Sequence, residues 1–301
     1  MKQILKYISL AFLAVVALAS CRERYVTYSD AEYVMFADTL KTYAVTSDGT
    51  GFDIPVVSTV ACDYDRTFGV EVIDKGNNAI EGVHYSIENN TITIKAGERR
   101  ADVHVTGHYD NIGATDSLGF QLRLVMNDRL EMPLYGKDTK AVLMKSCPFD
   151  INDFTGYCML TSMFLYQYSI TGMYQRLVYT KKHPTEENTI IVHDMINDGY
   201  DVTLTFHPED PMLPFVTIDE GQVASDEGSF FGQTHGDDKI LVRTSQYYDS
   251  IFYPCGKYLY VWTEMYVENL GEPVGTVGHY YNVMEWVSDE EADRLMREDG
   301  M

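Results

Sequence analysis

The chain has 301 residues, of which 45% are hydrophobic, and its 23 basic against 45 acidic residues give a formal net charge of −22. This apolar content suffices for folded cores and excludes wholesale disorder, and the length suffices for two domains. The acidic surplus disfavours nucleic acid and anionic lipid headgroups as partners, because both would be repelled.

Residues 1–20 are predicted to be a signal peptide. Lys2 and Lys6 precede an apolar run at 8–18, which is too short for a permanent membrane span. The run ends in the sequence LASC, which resembles the lipobox of bacterial lipoproteins. The resemblance implies that Cys21 is acylated, that residues 21–30 form a lipidated tether, and that the membrane is a partner through this anchor. An ordinary signal with an incidental cysteine is the alternative.

Residues 31–146 have the pattern of an antiparallel β domain. Apolar and polar residues alternate at 68–72, 91–96, 101–106 and 120–124, which is typical of half-buried strands. Turn signals rich in Gly, Asn and Asp separate these segments at intervals of roughly eight to twelve residues. The pattern therefore predicts a β-sandwich.

Four segments of this region carry a resemblance to a known family. They are 81–85, 92–98, 103–105 and 120–124, and they read EGVHY, ITIKAGE, VHV and FQLRL. Their order and spacing resemble the Calx-beta-type immunoglobulin-like domain found at the N-terminus of many Bacteroidetes surface lipoproteins. Calcium-binding members commonly have an aspartate before the tyrosine that matches Tyr85, but His84 stands there in this chain. We therefore expect the fold without a metal, and no cofactor is indicated.

Residues 147–286 are predicted to form a second antiparallel β domain, either a meander or barrel-like. Pro148 ends the preceding strand, and no helix capable of a parallel crossover is evident. Ser288 and Glu291 form a capping box in the tail 287–301, which predicts a short surface helix at 289–298. The expected fold class is all-β, with an N-terminal Ig-like sandwich. The strand-like segments of the second domain are 157–168, 174–180, 189–195, 201–207, 215–218, 239–244, 258–268 and 278–286.

Four cysteines remain besides Cys21, namely Cys62, Cys147, Cys158 and Cys255, and none belongs to a CxxC pattern. They can form two disulfides in three ways. Proximity in sequence favours Cys147 with Cys158, and buried free thiols are the alternative.

No catalytic constellation is evident in the sequence. Nucleophile-elbow, zinc-protease, phosphate-loop and dinucleotide motifs are missing, so we expect a protein that is not an enzyme and has no catalytic residues. The segments 207–210 and 235–238 each place a histidine near two acids. Acidic loops are common in a chain of this charge, so we expect no metal there.

One strand carries the candidate ligand-binding residues, Tyr258, Tyr260, Trp262 and Tyr266, which alternate with Leu259, Val261, Met265 and Val267. An aromatic platform suits the stacking of sugar rings, because Tyr and Trp combine a π-face with a polar group. In the alternative, the aromatic face is core and the aliphatic face meets another layer. The sequence favours this alternative, because cores routinely hold aromatic residues.

The sequence therefore predicts a lipid-anchored outer-membrane protein on the cell surface or the periplasmic face. Its predicted role, implied by the resemblance, is a non-catalytic binding or accessory component of a surface glycan-uptake system. Expected partners are the membrane, a glycan or other envelope proteins, but not nucleic acid. The alternative is a structural or adhesin-like protein that contacts other proteins or cells.

Overall fold

The computed structural model describes residues 31–74, 76–131, 136–169 and 172–298, so Cys21 and the predicted signal lie outside the described residues. The chain is all-β, as predicted. The first strands are β1 (Val34–Phe36), β2 (Leu40–Thr46), β3 (Phe52–Ser58), β4 (Arg66–Val72), β5 (Tyr85–Ile87), β6 (Thr91–Ile94), β7 (Arg100–Gly107), β8 (Leu118–Val125) and β9 (Asp138–Ser146).

These strands form two sheets packed face to face. One sheet has the order β1-β3-β7-β5 and the other β2-β9-β8-β4-β6. Pairing is antiparallel except between β2 and β9, which run parallel. The alternating apolar residues of the predicted strands point between the sheets, where Tyr85 stacks on Phe120 with ring centroids 3.9 Å apart. The predicted sandwich is confirmed.

The second group of strands closes into a barrel. They are β10 (Gly156–Ser162), β11 (Gln175–Lys182), β12 (Thr189–His193), β13 (Val202–His207), β14 (Phe215–Thr217), β15 (Gln222–Ser225), β16 (Ile240–Thr244), β17 (Ile251–Tyr253), β18 (Tyr258–Asn269) and β19 (Glu272–Trp286). Antiparallel pairing runs in the order β18-β19-β10-β11-β12-β13-β14-β17 and returns to β18. Whereas β17 pairs with the first residues of β18, β16 pairs with residues 263–267 of β18, and β15 pairs with β16.

The barrel interior is a packed core. It is filled by aliphatic residues from every wall and by a cluster of phenylalanines, among them Phe154, Phe206 and Phe252. Two short helices, α1 (Met163–Tyr168) and α2 (Glu227–Phe231), pack Phe164 against Phe230 beside Tyr280. Burial of this continuous apolar surface is the main stabilising term.

The residues 163–168, predicted as strand, form helix α1. Ser162 begins this helix, since its Oγ accepts the Leu165 N–H at 3.5 Å. The aromatic-rich sequence MFLYQY has high strand propensity, but the local cap and the packing of Phe164 prevail. The C-terminal helix α3 (Asp289–Glu298) has the predicted bounds and the predicted cap at Ser288. Among the described residues, no helix is both long and apolar enough to cross a membrane.

The disulfide pairs Cys147 with Cys255, so the favoured pairing of Cys147 with Cys158 is wrong. Cys158 lies on the inner face of β10 and is fully buried, and this burial raises the pKa of its thiol. Cys147 follows β9, whereas Cys255 lies in the turn between β17 and β18. The disulfide therefore ties the segment after the sandwich to the base of the barrel.

Candidate functional site: an aromatic surface on the barrel wall

The inner face of β18 is the aliphatic one. Leu259, Val261 and Met265 belong to the barrel core, whereas Tyr258, Tyr260 and Trp262 point outward. The core alternative favoured from the sequence is therefore wrong for these three residues. The reason lies in the barrel, whose narrow interior is already filled by aliphatic and phenylalanine side chains from the other strands.

Six aromatic side chains form one continuous surface on the outside of this wall. We call this surface the aromatic row, and in order of contact it consists of Tyr253, Tyr258, Tyr260, Tyr281, Trp262 and Tyr248. Successive ring centroids are 4.7, 5.5, 5.4, 5.2 and 4.1 Å apart. These are ordinary separations for interacting aromatic pairs.

Strand register explains how the row assembles. Directly opposite residues of an antiparallel pair lie on the same face, so Tyr281 on β19 joins Trp262, and Tyr253 on β17 joins Tyr258. Tyr248 comes from the loop between β16 and β17 and stacks on the indole of Trp262 with an interplanar angle of 25°. Tyr248, Tyr253 and Tyr281 could not be assigned to this surface from the alternation in β18, because they belong to other segments of the chain.

The row is accessible and carries polar groups. Tyr248 is 49% exposed and Tyr253 is 38% exposed, and the remaining rings are partly exposed. Among the described residues, the indole N–H of Trp262 has no hydrogen-bond partner. In contrast, the indole N–H of Trp286 donates to Thr180 Oγ1 at 2.9 Å on the inner side of the barrel. The outer tryptophan therefore keeps a free donor.

Three phenol groups of the row, those of Tyr253, Tyr258 and Tyr281, are neutral at physiological pH. Burial raises the pKa of Tyr281 to about 12 and also raises the pKa values of Tyr253 and Tyr258 above the usual value for tyrosine. A neutral phenol can both donate and accept a hydrogen bond. The row thus offers flat apolar faces with hydroxyl groups at their edges.

Tyr266, the fourth predicted ligand-binding residue, lies on the same face but is covered. It is only 2% exposed. The Arg243 guanidinium lies 4.7 Å from its ring centroid, and its hydroxyl accepts the Gly221 N–H at 2.9 Å. Tyr266 therefore supports the wall and is not part of the accessible row. Alternation along a strand cannot reveal that a side chain from a neighbouring strand covers one residue.

An ion-pair network borders the row beyond Trp262. The guanidinium of Arg243 donates to both carboxylate oxygens of Glu264, at 2.9 and 3.2 Å, and also contacts Glu220. The Thr276 hydroxyl donates to Glu264 at 2.8 Å. The Arg243 hydrogen bonds hold the pKa of Glu264 below its usual value, so this carboxylate is ionised.

A serine–histidine pair lies at the same end of the row. Ser245 Oγ is 3.0 Å from His279 Nδ1 and accepts the Tyr247 N–H at 3.2 Å. The serine hydroxyl and the imidazole therefore share one hydrogen bond. The His279 ring lies 4.9 Å from Tyr247 and 6.3 Å from Tyr248. This pair adds a polar group to one end of the aromatic row.

The histidines considered in the sequence have local structural partners. His207 stacks on Phe215 and shares a hydrogen bond with Thr217 at 2.9 Å, and the His235 N–H donates to Glu227. In the sandwich, His84 Nδ1 accepts the Ile80 N–H at 2.9 Å. The imidazole of His84 is therefore engaged by the backbone of the same loop. In the described ranges, no group of three or more His, Cys, Asp or Glu side chains could hold a metal ion.

Concave sites lie elsewhere on the molecule, among them a cavity of about 670 Å³ in the sandwich that is lined by Asp74, Asn77 and Glu81. A groove of about 560 Å³ at the end of the barrel is lined mainly by apolar residues such as Phe230, Phe231 and Val274. A cavity of about 310 Å³ beside the disulfide is lined by proline rings and by Phe149 and Phe252. The groove has Tyr168, His235 and Thr276 as its polar side chains, and the cavity beside the disulfide has short polar residues such as Thr46, Ser47 and Asp48 in its lining. The row differs from these concave sites in presenting six rings in succession, with hydroxyl groups at their edges.

Comparison with known structures finds distant likenesses. A putative carbohydrate-binding protein from Bacteroides ovatus is 12% identical, with 82% of this chain and 74% of that chain covered and a TM-score of 0.30. An auxiliary nutrient binding protein from Bacteroides thetaiotaomicron is 16% identical, with 87% and 94% covered and a TM-score of 0.31. The apo form of the Calx CBD1 domain is 14% identical, with 38% and 98% covered and a TM-score of 0.31. These likenesses are too weak to assign a function.

Comparison with curated proteins gives no match. A protein-family model, in contrast, matches residues 134–298, which is more than half of the chain and includes the whole barrel and helix α3. The chain therefore belongs to the family described as Domain of unknown function (DUF4984).

Proposed function

We propose that this protein is a non-catalytic glycan-binding protein of the cell envelope and that the aromatic row is its binding surface. The observation that carries the proposal is the outward orientation of Tyr258, Tyr260 and Trp262, joined by rings from β17, β19 and the β16–β17 loop. A side chain turned toward solvent in this way contributes little to the core, yet it is available to a ligand.

The chemistry of the row suits a sugar. The C–H groups on one face of a pyranose ring pack against an aromatic face, while its hydroxyl groups require donors and acceptors at the ring edges. Phenol hydroxyls, the Trp262 indole N–H and the His279 imidazole supply them. Because the row contains several rings in succession, we expect an oligosaccharide rather than a single sugar to be bound.

We further propose the cellular setting predicted from the sequence. Acylation of Cys21 would hold the protein at the outer membrane, on the cell surface or the periplasmic face, as an accessory component of a glycan-uptake system. Acyl chains anchor a protein firmly when two or more are present. Other envelope proteins of that system are then partners, and no catalytic residue is assigned.

A structural or adhesin-like role is the second candidate. It is favoured by the tip of the β18–β19 hairpin, where Leu270 is 89% exposed and Val274 is also exposed. These two exposed apolar side chains are available for contact with another protein. In that case the hairpin, rather than the aromatic row, would carry the function.

Affinity electrophoresis in gels containing neutral polysaccharides tests the first candidate. The parent protein should be retarded by at least one polysaccharide, and Trp262→Ala should lose about tenfold or more in affinity, the factor that corresponds to roughly 1.4 kcal/mol. Tyr64→Ala is the matched control, because Tyr64 is an exposed aromatic residue of the sandwich. Equal retardation of parent and Trp262→Ala would exclude the row, and retardation by none of the polysaccharides would favour the second candidate.

A further inference from the structure

The charges around the aromatic row are unevenly distributed. Between residues 244 and 286, Lys257 is the only lysine or arginine, although this segment supplies the whole row. Lys257 donates to Asp153 at 2.7 Å. Arg243, on the neighbouring strand β16, is engaged by Glu264 and Glu220 and covers Tyr266. Lys257 and Arg243 are therefore already paired with carboxylates.

Acidic side chains, in contrast, flank the row on both sides. Glu285 is exposed on β19 directly opposite Tyr258, and therefore on the face that carries the row. Asp249 is exposed next to Tyr248 at the other end. Glu264, two residues beyond Trp262 on β18, is buried and paired with Arg243, so the exposed acids Glu285 and Asp249 are the ones that bear on a ligand. A carboxylate or sulfate brought onto the row would therefore meet the like charges of Glu285 and Asp249.

The groups that can hydrogen-bond to a ligand here are uncharged. Raised pKa values keep the phenols of Tyr253, Tyr258 and Tyr281 protonated. Such donors and acceptors match the hydroxyl groups of a neutral sugar, whereas acidic sugars are usually held by arginine or lysine.

We propose that the aromatic row selects neutral oligosaccharides and rejects those that carry carboxylate or sulfate groups. This inference rests on the proposed function, because it concerns the ligand class of the same surface. It follows from the committed cations, the flanking carboxylates and the uncharged hydrogen-bonding groups of the row.

The test compares chemically matched glycans on the full-length protein in detergent. Soluble glucans, mannans and galactans are each compared with their C6-oxidised derivatives, which keep the linkage and replace a hydroxymethyl group by a carboxylate. The neutral member of the pair that binds should bind about tenfold or more tightly than its oxidised form at low salt, the factor that roughly 1.4 kcal/mol of like-charge repulsion produces. High salt should reduce this difference by screening the charges.

The variant Glu285→Gln sharpens the test. It should reduce the preference for the neutral member by about twofold or more, because one of the flanking charges is removed. Glu88→Gln is the matched control, since Glu88 is an exposed acid of the sandwich, and it should leave the preference unchanged.

The possible failures are distinguishable. Equal or tighter binding of the oxidised glycans, lost in Trp262→Ala, would overturn the preference for neutral sugars and leave the glycan-binding function standing. Binding of neither member of any pair would remove the proposed function and this inference together. A preference that Glu285→Gln does not alter would show that the row's charges do not cause it.

Discussion

Replacing Trp262 by alanine should lower the free energy of unfolding by about 1–3 kcal/mol. The indole contacts two rings, Tyr248 at 4.1 Å and Tyr281 at 5.2 Å, and each such aromatic pair contributes roughly 0.5–1.5 kcal/mol. The indole is partly exposed and lies outside the barrel core, so no large cavity results. The backbone N–H of residue 262 keeps its hydrogen bond to Ser250 Oγ in the variant.

Trp286→Ala is the internal comparison, because the second tryptophan lies on the opposite face of the wall. Its ring meets Phe154 edge-on at 5.1 Å, and its indole N–H donates to the buried hydroxyl of Thr180. Truncation there creates a cavity and leaves the hydroxyl without this donor, which should cost roughly 3–5 kcal/mol. The two tryptophans therefore predict unequal losses from the same chemical change.

The assay is urea unfolding followed by far-ultraviolet circular dichroism, which does not depend on the tryptophan that is removed. The midpoint for Trp262→Ala should lie between those of the parent and Trp286→Ala. If Trp262→Ala is as destabilising as Trp286→Ala, the outer face contributes as much to the free energy of unfolding as the core does. That result would refute the reasoning that the row is free to serve a ligand.

Three further predictions address the rest of the chain. Cys147→Ser should lower the urea midpoint by an amount equivalent to about 2–4 kcal/mol, because the disulfide with Cys255 closes a long loop of the unfolded chain, and an unchanged midpoint would show that the disulfide does not form. Glu264 has a lowered pKa in the fold, so its contribution to stability is present above its ordinary value of 4.5 and is lost as the pH falls through the lowered value. The stability of Glu264→Gln should lack this pH-dependent contribution when the protein is unfolded by acid. Identical pH profiles of stability for the parent and Glu264→Gln would argue against the ion pair. Cys21→Ala should move the protein from the membrane fraction to the soluble fraction or leave an unprocessed precursor, whereas unchanged fractionation would argue against the lipid anchor.

The sequence predicts the strands well where one face is buried and the other is not. The alternation at 120–124 becomes β8, and the capping box at Ser288 begins helix α3 at the predicted residue. The strand β8 and the start of helix α3 depend on residues that are close together in the sequence, so both could be predicted from it. The residues 163–168 show the limit of propensity, because a tyrosine- and phenylalanine-rich stretch forms a helix once Ser162 caps it.

Features that depend on closure of the barrel could not be predicted. Cys255 meets Cys147 because the β17–β18 turn returns to the base of the barrel, and sequence proximity to Cys158 is irrelevant to that arrangement. The aromatic row likewise combines β17, β18, β19 and a loop, so the sequence revealed only the members on β18. It could not show that Arg243 covers Tyr266.

The central claim is that Trp262 faces a glycan while Trp286 does not, and the fluorescence of single-tryptophan proteins tests it most directly. The chain has two tryptophans, so Trp286→Phe reports on Trp262, and Trp262→Phe reports on Trp286. Addition of the bound neutral oligosaccharide should shift the emission of Trp262 and protect it from quenching by acrylamide, and it should leave the emission of Trp286 unchanged. An unchanged Trp262 signal at saturating oligosaccharide, or equal changes at both tryptophans, would contradict the account.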